Sequence, residues 1–182
     1  MIQIFDNVFS EQEISDIETK FYTIPWFLSS ADNHASVTAD VREKYSDSNT
    51  IEGIQLTNFF FINDKPNSPY YKDSAEILEK FCLRENVPIQ KLIRIKANLQ
   101  LPEPREESNY NTPHVDNYSP HKVAIYYVND SDGSTFFFDK QFKVIKKVES
   151  KRGRIVLFSG DIYHSGQPPS KDKRIIINFN FI

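Results

Sequence analysis

Cysteine is nearly missing from this 182-residue chain: Cys82 stands alone, which excludes an intrachain disulfide. It lies in Ile77-Leu78-x-x-Phe81-Cys82 with no activating base beside it. It therefore reads as a small buried hydrophobe rather than a nucleophile. No apolar run exceeds about six residues, where a membrane span needs ~20. Met1 to Asp6 contain no basic segment followed by an apolar stretch, so no secretory signal is expected. A cytoplasmic protein is the expectation, without membrane attachment. A strong excess of one charge is also lacking. The net charge of -3 argues against nucleic acid as a partner. The charge is uneven: residues 1–60 carry ten acids and three bases, and residues 140–154 carry seven bases and one acid. The run Lys140, Lys143, Lys146, Lys147, Lys151, Arg152 and Arg154 reads as the solvated face of a hairpin opposite that acidic region.

What is present is aromatic and strand-like, with 15 Phe and 9 Tyr. Ile2–Phe5 reads as a short strand. Ser10-x-x-Glu13 is a capping box, and it predicts a helix over about 11–22 that ends before Pro25. Trp26, Phe27 and Leu28 are expected in the core. Residues 29–50 are polar and aperiodic, the mark of a lid, a binding loop or a disordered segment. Strand character returns over 51–62, and 71–86 reads as a helix apolar at Ala75, Leu78, Phe81 and Cys82. From Lys91 onward strands dominate. Ile93, Ile95, Ala97 and Leu99 alternate with Arg94, Lys96, Asn98 and Gln100, the period-2 signature of a two-faced strand. Residues 102–113 form a polar loop. Strands follow at 123–128 and 135–138, with an Asp132-Gly133 turn between them, and again at 154–158. In the last strand Ile175, Ile177, Phe179 and Phe181 alternate with Arg174, Ile176, Asn178 and Asn180. A strand bearing Arg and Asn on one face fits a sheet with helices on one side and a hydrated, ligand-holding interior on the other. Four of the five glycines fall after residue 130, at expected turns between short strands, which argues for a sandwich or barrel.

The chemistry gathers between His114 and Arg174. His114-x-Asp116 on a strand would put both side chains on one face. A chain with four histidines and 25 acids can hold such a pair by chance, so the pair alone is weak. His164, just past a strand and a Ser-Gly-Asp turn, supplies a third donor. Two histidines and one carboxylate with open positions form the facial triad of non-heme Fe(II) oxygenases. Ten residues on, Arg174 stands on the polar face of the last strand, where a guanidinium can bind a carboxylate bidentately. His121 falls outside the pattern and reads as a strand-edge residue. His34 lies in the 29–50 loop.

His114-Val115-Asp116-Asn117, Ile125-Tyr126-Tyr127-Val128-Asn129, Asp132-Gly133-x-Thr135, Gly153–Phe158, His164 and Arg174 together resemble the 2-oxoglutarate/Fe(II)-dependent dioxygenases. The nearest branch is prolyl 4-hydroxylase-like, with compact phage and bacterial members. The resemblance is strong over roughly 90–182. It implies a mainly β protein with N-terminal helices, a double-stranded β-helix (jelly roll). It implies one domain over 1–182, with 1–90 as support and 91–182 as the core with the active site. It implies Fe(II) on His114, Asp116 and His164, and 2-oxoglutarate and O2 as co-substrates, with ascorbate as a possible reductant. Arg174 would hold the distal carboxylate of 2-oxoglutarate with Tyr127, and Thr135 and Asn98 would line that pocket. A phage-encoded member would act in the host cytoplasm. The expected substrate is a peptide side chain such as proline. The alternatives are a small molecule or nucleobase, or a binding module without turnover. Where many prolyl hydroxylases carry Gly-Gly-Glu-Thr, this chain has Asp132-Gly133-Ser134-Thr135, which bears on the substrate rather than on the iron. The oligomeric state is left open.

Overall fold

The computed structural model describes residues 1–28, 50–51 and 53–182. The expected lid over 29–50 and His34 thus lie outside the described residues, Thr50 apart. Two helices form where the apolar spacing places them. The first, α1 (Glu11–Tyr22), starts at the capping box: Glu13 N–H donates to Ser10 Oγ, and Ser10 N–H donates to the Glu13 carboxylate at 2.9 Å. It buries Ile14 and Phe21. The second, α2 (Tyr71–Arg84), buries Ala75, Ile77, Leu78, Phe81 and Cys82. It stops two residues short of the expected end because Asn86 turns left-handed, with φ 53°. Arg84 ties the helices together by donating to Val8 O and to both oxygens of Glu13.

The strands are β1 (Ile2–Phe5), β2 (Phe27–Leu28), β3 (Gln55–Ile62), β4 (Lys65–Pro66), β5 (Leu92–Gln100), β6 (Lys122–Tyr127), β7 (Ser131–Phe138), β8 (Val144–Ser150), β9 (Ile155–Ser159), β10 (Tyr163–Gly166) and β11 (Arg174–Phe181). The larger sheet has the order β1-β9-β6-β11-β5-β3-β2, with β4 on β3. The smaller has the order β10-β7-β8. His114 joins its free edge by a two-bond bridge to His164, at 3.0 and 2.9 Å. From β5 onward the chain passes back and forth between the sheets, which makes a double-stranded β-helix as expected. Among the described residues no helix is long and apolar enough to cross a membrane.

Two cores result. Phe21, Phe60 and Phe81 meet Ile95, Ala97, Ile177, Phe179 and Phe181 between the helices and the large sheet. Val123, Ile125, Tyr127, Phe137, Val156 and Ile176 fill the space between the sheets. The polar faces of β5 and β11 turn toward that inner space in register. Arg174 lies opposite Gln100, Asn178 opposite Lys96, and Asn180 opposite Arg94.

Three expectations are corrected. Trp26 packs on the core, but Phe27 and Leu28 are 61% and 76% exposed. They form β2, which among the described residues pairs only with β3. The strand expected from Ile51 begins at Gln55. Asp132-Gly133 is no turn but lies within β7. Gly133 is needed there for close approach: a Cβ would stand 2.5 Å from Gln167 O and 2.9 Å from Arg174 Cδ.

Candidate active site

His114 and His164 sit side by side because their backbones are bridged, and Asp116 follows two residues later. Their ligating atoms lie within 4.8 Å of one another. Each imidazole is oriented by a carbonyl two residues before it. His114 Nδ1 lies 3.1 Å from Thr112 O, and His164 Nδ1 lies 3.2 Å from Ile162 O. A carbonyl only accepts, so the proton belongs on Nδ1 and the lone pair on Nε2. His164 Nε2 stands 3.8 Å from Asp116 Oδ2. Burial holds the His164 pKa below its ordinary value, which favours the neutral, ligating form. Burial alone would raise the Asp116 pKa. Arg94, 2.6 Å from Oδ1, and the hydrogen bond from Asn180 act against it and keep this carboxyl well below the usual range. Asn178 and Asn180 each donate to Oδ2 at 2.9 Å. The cluster thus offers two neutral imidazoles and one ionised carboxylate to a divalent metal, a set suited to Fe(II).

Arg174 begins β11, on the polar face that carries Asn178 and Asn180 farther along. It is 2% exposed, yet its hydrogen-bond partners are all neutral. Nε donates to Gly133 O at 3.1 Å and Ser150 Oγ at 2.9 Å, one terminal nitrogen to Gln100 Oε1 at 2.9 Å, and the other to Thr135 Oγ1 at 2.8 Å. Among the described residues no carboxylate pairs with it. Thr135 Oγ1 also lies 2.7 Å from the Tyr127 hydroxyl. Since Thr135 accepts from Arg174, its own proton can go to Tyr127, which frees the Tyr127 O–H for an incoming anion. Burial raises the Tyr127 pKa, so the phenol remains a neutral donor. Buried charge without a counter-ion is costly. A carboxylate ligand would offset that cost.

His114, Asp116 and His164 are therefore brought together, as are Arg174, Tyr127 and Thr135. Asn98 faces the same interior but accepts from Gln55 Nε2 at 3.0 Å and does not bond Arg174. Sequence reasoning did not single out Gln100, Ser150, Arg94, Asn178 and Asn180. The signal available was the polar alternation of β5 and β11. His121 is buried, with Nδ1 2.7 Å from Ser119 O, and stands outside the metal cluster. Much of the basic run pairs with acids of the N-terminal region: Arg152 with Glu11 and Glu18, and Arg154 with Asp6. Burial pushes the Cys82 thiol up to about 11, as expected of an inert packing residue.

Residues 101–182 match the model of the 2OG-Fe(II) oxygenase superfamily. The matched oxygenase region contains His114, Asp116, His164 and Arg174, and it bears out the resemblance drawn from the sequence. No curated protein sequence matches the chain. Solved structures with this fold include a prolyl hydroxylase from Trichoplax adhaerens in complex with a hypoxia inducible factor peptide fragment. It is 15% identical, with a TM-score of 0.63 over 99% of this chain and 83% of that one. Another is the viral collagen prolyl hydroxylase of Paramecium Bursaria Chlorella virus-1 with 2OG, at 13% identity and TM-score 0.53, covering 100% and 96%. A third is HygX from Streptomyces hygroscopicus with nickel and 2-oxoglutarate bound, at 12% identity and TM-score 0.60, covering 99% and 82%. At such identities the likeness is one of fold.

Proposed function

We propose that this protein is an Fe(II)- and 2-oxoglutarate-dependent dioxygenase that hydroxylates an unactivated C–H bond. The observation that carries the reading is Arg174, a buried guanidinium that pairs with no carboxylate among the described residues, on the same strand whose Asn178 and Asn180 hold Asp116 of the His114, Asp116 and His164 cluster. These three residues would hold iron. Iron held there would supply O2 activation coupled to oxidative decarboxylation of 2-oxoglutarate to succinate and CO2. Arg174 would hold the distal carboxylate of 2-oxoglutarate, with Tyr127 donating a second hydrogen bond and Thr135 and Gln100 fixing the guanidinium. Asn178, Asn180 and Arg94 would keep Asp116 ionised and aimed. The aromatic rings of Phe137 and Phe158 pack against His164 and keep water from that side.

For the substrate, a peptide or protein side chain with proline as the leading candidate draws support from the prolyl hydroxylases that share the fold. The assay is succinate release from 2-oxoglutarate with Fe(II), ascorbate and O2, with and without proline-containing peptides, and with His164→Ala as control. The expected result is succinate in wild type, none above background in the variant, and one oxygen atom gained by a peptide. Metal-loaded wild type that binds 2-oxoglutarate and releases no succinate would favour a binding module instead.

A further inference from the structure

One cation of the inner face is used by neither the metal cluster nor the Arg174 pocket. Lys96 is 6% exposed, and its Nζ lies 5.2 Å from the centroid of the Phe59 ring. Among the described residues no carboxylate is within ion-pair distance of it. Asp116, whose field reaches it, is already paired with Arg94 at 2.6 Å. Burial, with Arg94 beside it, pushes the Lys96 pKa down to about 8, which leaves the ammonium charged at neutral pH. A desolvated ammonium without an anion is costly to keep unless a ligand supplies one. Its surroundings carry further unmet bonding capacity: Asn178 Oδ1, directly opposite Lys96 in register, and Arg94 Nε are both buried without a partner.

We propose that Lys96 is an anion-binding residue of the substrate pocket, and that the substrate presents a carboxylate to it close to the carbon that reacts. This rests on the oxygenase reading and narrows its substrate class. The residue is poorly placed for the co-substrate's distal carboxylate. Gln100, which holds Arg174, lies four residues along β5, or about 13 Å at ~3.3 Å per residue. Lys96 also leans toward Phe59 of β3, on the side of β5 opposite β11. Its burial admits only a slim group, and the reach of the Asp116 charge sets that group near the metal donors. Asn178 Oδ1 would accept from an N–H beside that carboxylate. A free amino- or imino-acid and an acidic peptide side chain share this chemistry.

The test is crystallographic: wild type and Lys96→Met, loaded with Zn(II) and 2-oxoglutarate and soaked in bromide. Methionine keeps the apolar stem and removes the charge. Zinc and 2-oxoglutarate density in the variant verifies its fold. The expected result is an anomalous bromide peak at Lys96 Nζ that is lost in the variant. Co-soaks then separate the sources. Displacement of bromide by N-acetylglycine assigns a small free acid, and displacement by the amide-capped peptide Ala-Glu-Ala assigns an acidic side chain. No peak at Lys96, a carboxylate of 2-oxoglutarate seated on it, or displacement by neither probe overturns the proposal. Wild type without 2-oxoglutarate at Arg174 counts against the oxygenase reading alone, because the bromide peak still decides the anion site.

Discussion

Arg174 concentrates the argument at the scale of single residues. Each charge-assisted hydrogen bond to a carboxylate contributes about 1.5–3 kcal/mol. Arg174→Gln should therefore raise the 2-oxoglutarate concentration needed for half-saturation by about 10- to 100-fold, as read by calorimetric titration of the metal-loaded protein. Unchanged affinity would place the co-substrate elsewhere. Gly133 serves the same pocket through its missing side chain. Gly133→Ala should cost about 1–3 kcal/mol through overpacking, measured by urea unfolding, and should also weaken 2-oxoglutarate binding because the added methyl meets Arg174 Cδ. Stability equal to wild type would show that the contact relaxes. The candidate metal ligands and Arg174 could be picked out by spacing, since His-x-Asp, a distant His and an Arg ten residues later form a pattern. Gly133 was not. A glycine kept for a neighbour's side chain looks in the sequence like a glycine kept for a turn.

At the scale of elements, α1 was legible to the residue because its start is written in local chemistry. Glu13 serves both as the capping-box partner of Ser10 and as the ion-pair partner of Arg84. Arg84, followed by the Ser10 N–H, holds its pKa well below the usual carboxylate range. A depressed acid contributes stability that is present above its unfolded pKa and lost as pH falls through the folded one. Glu13→Gln should thus cost about 0.5–1 kcal/mol at pH 7, a partly exposed pair being screened. The deficit should shrink as pH drops below about 4.5. A pH-independent deficit would make the loss one of capping rather than charge. The two-faced strands β5 and β11 were equally legible. What opposes them was not, because register between distant strands is set by tertiary pairing. That is why Gln100, Asn178 and Asn180 emerged only as members of a polar face. The edge strand β2 was misplaced for a related reason: apolar residues at 26–28 look the same whether or not a layer covers them.

Across the whole molecule, the helices cover one face of the large sheet and the small sheet covers the other. Between the sheets, the polar rows of β5 and β11 face inward. Ligands that bind only this folded arrangement should stabilise it. At 100 times the dissociation constant the gain is about 2.7 kcal/mol, visible as a rise in Tm with Zn(II) plus 2-oxoglutarate and absent in His114→Ala. The metal's contribution should persist somewhat below pH 6.5, because burial keeps His164 neutral there. Loss of metal binding at or above pH 6.5 would contradict that assignment. The uneven charge also resolves at this scale: Arg152 and Arg154 are set against Glu11, Glu18 and Asp6, a contact no local pattern reveals.

Iron at His114, Asp116 and His164 with 2-oxoglutarate at Arg174 is the arrangement proposed for this protein. Anaerobic titration of 2-oxoglutarate into Fe(II)-loaded protein tests it most directly, through the visible charge-transfer band that a chelated 2-oxo acid gives with Fe(II). The account predicts a saturable band in wild type, absent in His114→Ala and shifted to higher 2-oxoglutarate concentration in Arg174→Gln. Folded wild-type protein with no band, or a band indifferent to Arg174, would contradict it.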